Sequence, residues 1–388
     1  MASWAPSSAP RPTSVDTGLP ELRALARDFA TREVAPLARR TDAEHRFPEE
    51  AIAKAAELGL LGITVPEEYG GGGMDHTAFA ILIEEVARVC ASTAVIIDVH
   101  TSVGMEPILN FGSEGQKQRW LPRLASGEIL GAFALTEPGA GSDAASLRTS
   151  ARKVDGGYVL NGSKTFITNL GRAGTYIVMA RSGGPGAAGV SAFVVEADAT
   201  GLRCGQPFQK MGLNGSPTGE LFLEDCVVGV DALLGREGQG FAIAMTALDA
   251  GRIGISAQAL GLAEGAISDA IEYVKQRHQF GKPVAEFQGL QFMLADMATQ
   301  VEAARLLTYR AAALCDAGQP FTREASMAKL FSTDTAMSVA IDAVQLLGGY
   351  GYIEEFPAAR RMRDAKAAQI YEGTNQVQRV VIARQLLA

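Results

Sequence analysis

The chain has 388 residues, 47% of them hydrophobic and 20% charged, and a formal net charge of −8. That length and composition describe a globular protein able to bury two or three structural regions. The acidic balance excludes general nucleic-acid binding, which relies on a basic footprint, and no apolar run is long enough to insert across a membrane.

The opening MASWAPSSAPRPTS is rich in Ser and Pro and lacks a signal-peptide apolar stretch, so residues 1–16 read as a disordered tail. From Leu19 to Leu124 the pattern is helical, with breaks at Pro48, Pro66 and the run Gly70 to Gly73. Within it AFAILIEEVARVC spaces its apolar residues as a core-facing helix does. This predicts an N-terminal helical domain over 17–124. Near Gly131 the texture changes to GAFALT, GYVLNGSKTFIT, TYIVMA, VSAFVVEA and GELFLEDCVV, β-rich runs separated by turn residues. They predict a middle β domain over 125–235. Helical patterning returns near Gly238, with no proline between Pro217 and Pro283, and predicts a C-terminal helical domain over 236–388. The order α, β, α is an α+β arrangement, unlike the alternating units of a doubly wound sheet.

Two glycine-rich strings are rejected as dinucleotide fingerprints. GPGAAG, Gly184 to Gly189, lies between two predicted strands, whereas the fingerprint needs a helix after its loop. It reads as a hairpin connection. GAGSDA, Gly139 to Ala144, also precedes a strand, but its glycines and Ser142 suit a loop that touches a cofactor. Cys90, Cys204, Cys226 and Cys315 are too scattered for a zinc site or disulfide framework, and His45, His76, His100 and His278 lack metal-site spacing. No metal is expected, and a reducing compartment is. The basic cluster Arg360, Arg361, Arg363 and Lys366 reads as a solvated helix face.

Glu372, in IYEGTNQVQR, stands between a helical run ending near Ile370 and a second helical pattern after Thr374. A carboxylate at such a junction can point into a cleft, and Gly373 lets a ligand approach the backbone. Here the chain resembles the acyl-CoA dehydrogenase flavoprotein family, and most nearly its short-chain, butyryl-type branch. FALTEPGAGSD, LDAGRIGISAQALG, RHQFGKP, QLLGGYGYIEEFPAARRMRD and IYEGTNQVQR fall in the family's order, and the resemblance runs from about residue 17 to the C-terminus.

The resemblance implies an N-terminal helical domain, a middle β domain and a C-terminal four-helix domain. It also implies bound FAD, a homotetramer, and an electron-transfer flavoprotein as acceptor. Glu372 is implied as the base that removes the α-proton of an acyl-CoA. In other branches the base precedes the arginine matching Arg252; that position here is Gly251, which cannot act as one. Phe133, Leu135, Thr136, Gly141, Ser142, Phe166, Ile167 and Thr168 match segments around the flavin. Arg277, Phe280, Gln288, Gln345, Leu346, Leu347, Gly348 and Gly349 match those reaching FAD across a subunit interface. Thr374, Asn375 and Gln376 match further FAD contacts, and Ser142, Asp249, Arg252 and Gly373 match substrate contacts. Asp249 and Arg252, three apart on a predicted helix, also suit a simple intrahelical ion pair. Phe166 stands where many relatives carry tryptophan, which leaves a flavin-covering ring without an indole N–H.

The competing readings are an acyl-CoA oxidase, a dehydrogenase acting on carrier-protein-bound acyl groups, and a non-catalytic flavin- or acyl-CoA-binding relative. Oxidases of the superfamily commonly extend far beyond the catalytic motif, and this chain ends soon after it. The expected location is the cytoplasm, or the mitochondrial matrix in a eukaryote.

Overall fold

The computed structural model describes residues 19–387, so the predicted tail lies outside the described residues. The N-terminal region is built from α1 (Pro20–Phe29), α2 (Ala38–Ala43), α3 (Glu49–Glu57), α4 (His76–Ala87), α5 (Ala91–Asp98), α6 (Glu106–Phe111) and α7 (Glu114–Ala125). Local chemistry sets several of these ends. Asp75 caps α4 by accepting from Ala78 N at 2.8 Å, and Ser113 with Gln116 forms a capping box at the start of α7. Between α5 and α6 the chain widens into a π-helical segment, Val99–Met105, whose residues are all buried.

The middle region is one twisted sheet of β1 (Leu130–Ala134), β2 (Ser150–Val154), β3 (Gly157–Thr168), β4 (Ala173–Arg181), β5 (Val190–Glu196), β6 (Leu202–Cys204), β7 (Thr218–Gly229) and β8 (Leu233–Leu234). The strand order is β6-β7-β3-β2-β4-β5-β8, with β1 running parallel to β4. Strands β4 and β5 are antiparallel neighbours, so GPGAAG is the hairpin connection expected of it. Strand β3 is less regular than its sequence implies. Its register with β7 shifts between Lys164 and Ile167, and Phe166 adopts φ +59° there. Such a bulge re-aims a side chain at the end of a strand.

The C-terminal region starts with α8 (Gly240–Gln276), a 37-residue helix buried on most sides through its middle. A two-residue-strand hairpin, β9 (His278–Gln279) with β10 (Lys282–Pro283), leads to α9 (Gln288–Asp316), α10 (Thr322–Leu347), α11 (Pro357–Ala368) and α12 (Asn375–Leu387). Helices α4, α5, α8, α9, α10 and α11 share one hydrophobic core. The N- and C-terminal helical regions therefore pack as a continuous body, and the sheet carries its own core.

The basic cluster on α11 is not a solvated face. Arg361 is buried and pairs with Asp269 of α8 at 2.7 Å, while Arg363 pairs with Asp42 of α2. Asp364 is buried too and accepts from Leu213 N at 2.6 Å. The charges fasten α11 to distant elements, and nothing local in the sequence shows those partners.

Candidate functional site

Helix α11 ends at Ala368 and α12 begins at Asn375, and the intervening turn carries two left-handed residues in succession, Glu372 (φ +52°) and Gly373 (φ +92°). A glutamate in that conformation is uncommon and persists only when its surroundings impose it. They do so here. Lys329 Nζ, on α10, donates to Gly373 O at 2.8 Å and to Asn375 Oδ1 at 3.0 Å. Gln378 Nε2 donates to Glu372 O at 3.2 Å and Gly373 O at 2.9 Å. Thr374 Oγ1 accepts from Val377 N at 3.3 Å and so caps α12, as its position in the sequence suggests.

The Glu372 residue is half-buried, but its Oε2 is inaccessible and accepts no hydrogen bond. That oxygen lies against a bare place on α8: a Cβ built on Gly251 would sit 2.4 Å from it. Gly251 therefore leaves room for the Glu372 carboxyl. Burial pushes the Glu372 pKa up to about 7, against the opposing pull of Arg252 and Lys329. Among the described residues the Glu372 backbone N–H has no backbone acceptor.

Asp249 and Arg252 form the intrahelical ion pair that their spacing suggests, at 2.7 Å. The pair does more than stabilise α8. Thr322 Oγ1 donates to Asp249 Oδ2 at 2.5 Å, and Arg252 Nε reaches Glu372 O at 3.4 Å, so a buried guanidinium abuts the turn. Lys329 was absent from the sequence-based site. It is 0% exposed, has no carboxylate in hydrogen-bond reach, and burial lowers its pKa to about 7 while the Glu372 charge acts to raise it. Its one signal in the sequence is a lone lysine in the apolar run ASMAKLF. Asn375 has its side-chain amide fully engaged with Lys329, Thr333 and Asp334, which makes it an anchor of the turn.

The segment from Phe133 to Ser142 leaves β1 and is pinned by a buried pair. Lys164, 0% exposed, donates to Glu137 Oε1 at 2.7 Å and to Leu135 O at 3.1 Å. Glu137 also accepts from the Arg148 and Thr149 amides. Leu135 and Ile167 are buried at 7% and 1% exposure, so what they present outward is backbone. Phe133, Thr136 and Thr168 are half-buried, and Gly141 and Ser142 are exposed. A Cβ on Gly139 or Gly141 would meet nothing in this chain, so neither glycine is demanded by internal packing. Phe166 is 67% exposed and touches Phe208, with ring centroids 5.5 Å apart. An open aromatic face beside hydroxyls and a bare backbone fits a flat heteroaromatic ring with a polar tail.

A second grouping forms elsewhere on the C-terminal region. Arg277, Gln345, Leu346, Leu347, Gly348 and Gly349 line one open cleft of about 490 Å³. Phe280, 94% exposed, packs edge-on against Phe287 and is not among the cleft's lining residues; Gln288 is exposed at the start of α9, and Gln376 at the start of α12. A guanidinium with bare backbone beside it suits an anionic group.

Three family models match in sequence order. "Acyl-CoA dehydrogenase, N-terminal domain" covers residues 19–128, the middle domain 132–226 and the C-terminal domain 238–387. An acyl-CoA dehydrogenase of Bacillus subtilis (strain 168) is 53% identical, over 94% of this chain and 97% of its own. The structure of butyryl-CoA dehydrogenase from Megasphaera elsdenii is 45% identical, with a TM-score of 0.94, over 97% of this chain and 100% of that one. That of an acyl-CoA dehydrogenase complexed with FAD from Bacillus anthracis is 35% identical, with a TM-score of 0.91, over 97% of this chain and 68% of that one.

Proposed function

This chain belongs to the acyl-CoA dehydrogenase family, and we propose that it converts a short-chain acyl-CoA to its trans-2-enoyl form with Glu372 as the α-proton base. The observation that carries this reading is the orphaned Oε2 of Glu372, buried against Gly251 on a turn that the chain holds in a left-handed conformation.

FAD fits the residues present: the exposed Phe166 face, the Gly139–Ser142 loop and the Thr168 hydroxyl suit its ring and ribityl chain. Bound there, FAD supplies the two-electron acceptor for the hydride that leaves the β-carbon. The chain's own residues do the rest. Glu372 takes the α-proton on its carboxylate, and that desolvated carboxylate is a stronger base than an exposed one. Its backbone N–H can donate to the thioester oxygen, where negative charge develops as that proton leaves. Arg252 and Lys329 oppose the rise in the Glu372 pKa and favour the carboxylate without hydrogen-bonding Oε2. Lys329, Asn375 and Gln378 hold the turn, which fixes where the base points.

Arg277 and the Gln345–Gly349 backbone form, in this reading, the part of the FAD site that a neighbouring subunit completes. Leu307, Met327, Leu330, Phe331 and Ile382, with Asp334 and Arg379 among the polar residues beside them, line a separate open groove suited to contact with another copy, and the chain is read as a homotetramer. Electrons then pass to an electron-transfer flavoprotein. No helix among the described residues is long and apolar enough to cross a membrane, and the cysteines are free, which supports a cytoplasmic or matrix setting.

Replacing Glu372 with Gln tests the base directly. The variant should keep FAD and bind butyryl-CoA, yet lose dehydrogenation by roughly 10²–10⁴-fold or more, the share of a positioned base. Turnover at the wild-type rate would remove Glu372 from the mechanism.

A further inference from the structure

Asp98 closes α5, a helix whose eight residues, ASTAVIID, are all buried. It is 0% exposed. Ser102 Oγ donates to its Oδ1 at 3.1 Å and to its backbone carbonyl at 2.8 Å, while Oδ2 is buried with no partner. The charged groups that bear on it, Glu372 and Glu106, are both acidic. A carboxyl buried without a cation or a second hydrogen bond costs free energy unless something outside the chain satisfies it.

Its place in the fold indicates what that something is. A Cβ on Gly254 would sit 1.9 Å from Asp98 Oδ1, just as one on Gly251 would sit 2.4 Å from Glu372 Oε2. Residues 251 and 254 share a face of α8, about 4.5 Å apart along its axis at the usual helical rise. Two carboxyl groups therefore stand about 4.5 Å apart along one strip of helix, Glu372 through its orphaned Oε2 and Asp98 through the Oδ1 that Ser102 bonds, with the orphaned Oδ2 on the same carboxyl. Glu372 is the outer of the two, being half-buried, and Asp98 the inner. An acyl chain whose α-carbon meets Glu372 and which runs inward along this strip brings its γ-carbon toward Asp98.

We propose that Asp98 is a specificity-determining residue at the inner end of the acyl site, hydrogen-bonding a hydroxyl on the γ-carbon of a short acyl thioester. This rests on Glu372 marking where the α-carbon lies. A hydroxyl suits the site because it both donates and accepts, and so matches the carboxyl in either protonation state. Burial, reinforced by the Glu372 charge, drives Asp98 well above the usual carboxylate range, which favours an acid form able to donate to such a hydroxyl. A plain methyl at the same place would leave the orphaned Oδ2 unmet, and sites built for a hydroxyl reject analogues without one.

Isothermal titration calorimetry on the FAD-loaded Glu372→Gln protein, which holds a thioester without converting it, decides the matter. Its affinities for 4-hydroxybutyryl-CoA and butyryl-CoA are compared, then measured again with Asp98→Leu added. The hydroxylated thioester should bind at least about tenfold more tightly, and Asp98→Leu should abolish or reverse that preference. Equal affinity in the Glu372→Gln protein overturns the proposal by itself, even if Asp98→Leu does not fold, and points to a buried water on Asp98. A preference that survives Asp98→Leu overturns it as well. Failure of either thioester to bleach the wild-type flavin would instead count against the catalytic reading, while the affinity ratio would still judge Asp98.

Discussion

Gly251 and Glu372 are a matched pair, because the space that one leaves is filled by the carboxyl of the other. Gly251→Ala brings a methyl within 2.4 Å of Oε2, and the flexible glutamate can yield where a backbone could not. The fold should therefore tolerate the change, with little movement in Tm, while the base is displaced. A misplacement near 1 Å costs on the order of 10²-fold in kcat. Steady-state kinetics beside a thermal melt checks this; unchanged kcat would show that Oε2 has no fixed catalytic position. At this scale the Glu372 turn was legible through its motif, and the role proposed for it through the glycine at 251. Asp98 was not. It ends a mostly apolar helix, ASTAVIID, and its meaning depends on Gly254, which lies 156 positions later in the chain.

The turn between α11 and α12 takes its geometry from α10, through Lys329. As the proposed base Glu372 must be ionised to accept a proton, so kcat/KM should fall tenfold per unit as pH drops below its pKa of about 7. Lys329 is a cation that favours the carboxylate, and removing it lets the Glu372 pKa rise. Lys329→Met should therefore move the acid limb of the kcat/KM profile to higher pH, and Lys329→Arg should restore it in part. An acid limb that does not move would reduce Lys329 to a structural anchor. The helices, the strands and their order followed from hydrophobic period and turn residues. What the pattern hid were local departures. The bulge that turns Phe166 outward lies within an apparently continuous strand, and the α11 cluster looks solvated until Asp42 and Asp269 are seen beside it.

The two helical regions are joined by a buried ionic network as well as a shared core. Arg23 of α1 pairs with Glu84 and Glu85 of α4 at 3.0 Å, and Arg305 of α9 pairs with Glu84, which also accepts from Tyr309. Burial raises the Glu84 pKa, but Arg305 and Arg23 outweigh it and hold the carboxyl below its usual range. A depressed folded-state pKa contributes stability above the unfolded value, and that contribution is lost as pH falls through the folded one. Glu84→Gln leaves two buried guanidinium groups short of a partner and should cost about 3–5 kcal/mol, read by denaturant unfolding near pH 7. A loss below about 1 kcal/mol would place the network among surface-like pairs. As a whole, the molecule is proposed to bring a desolvated glutamate and FAD to a short acyl thioester. Anaerobic titration of the purified protein with butyryl-CoA, following the flavin's visible absorption, tests it most directly. The flavin should bleach as crotonyl-CoA forms; a flavin that stays oxidised with butyryl-CoA bound would contradict the account.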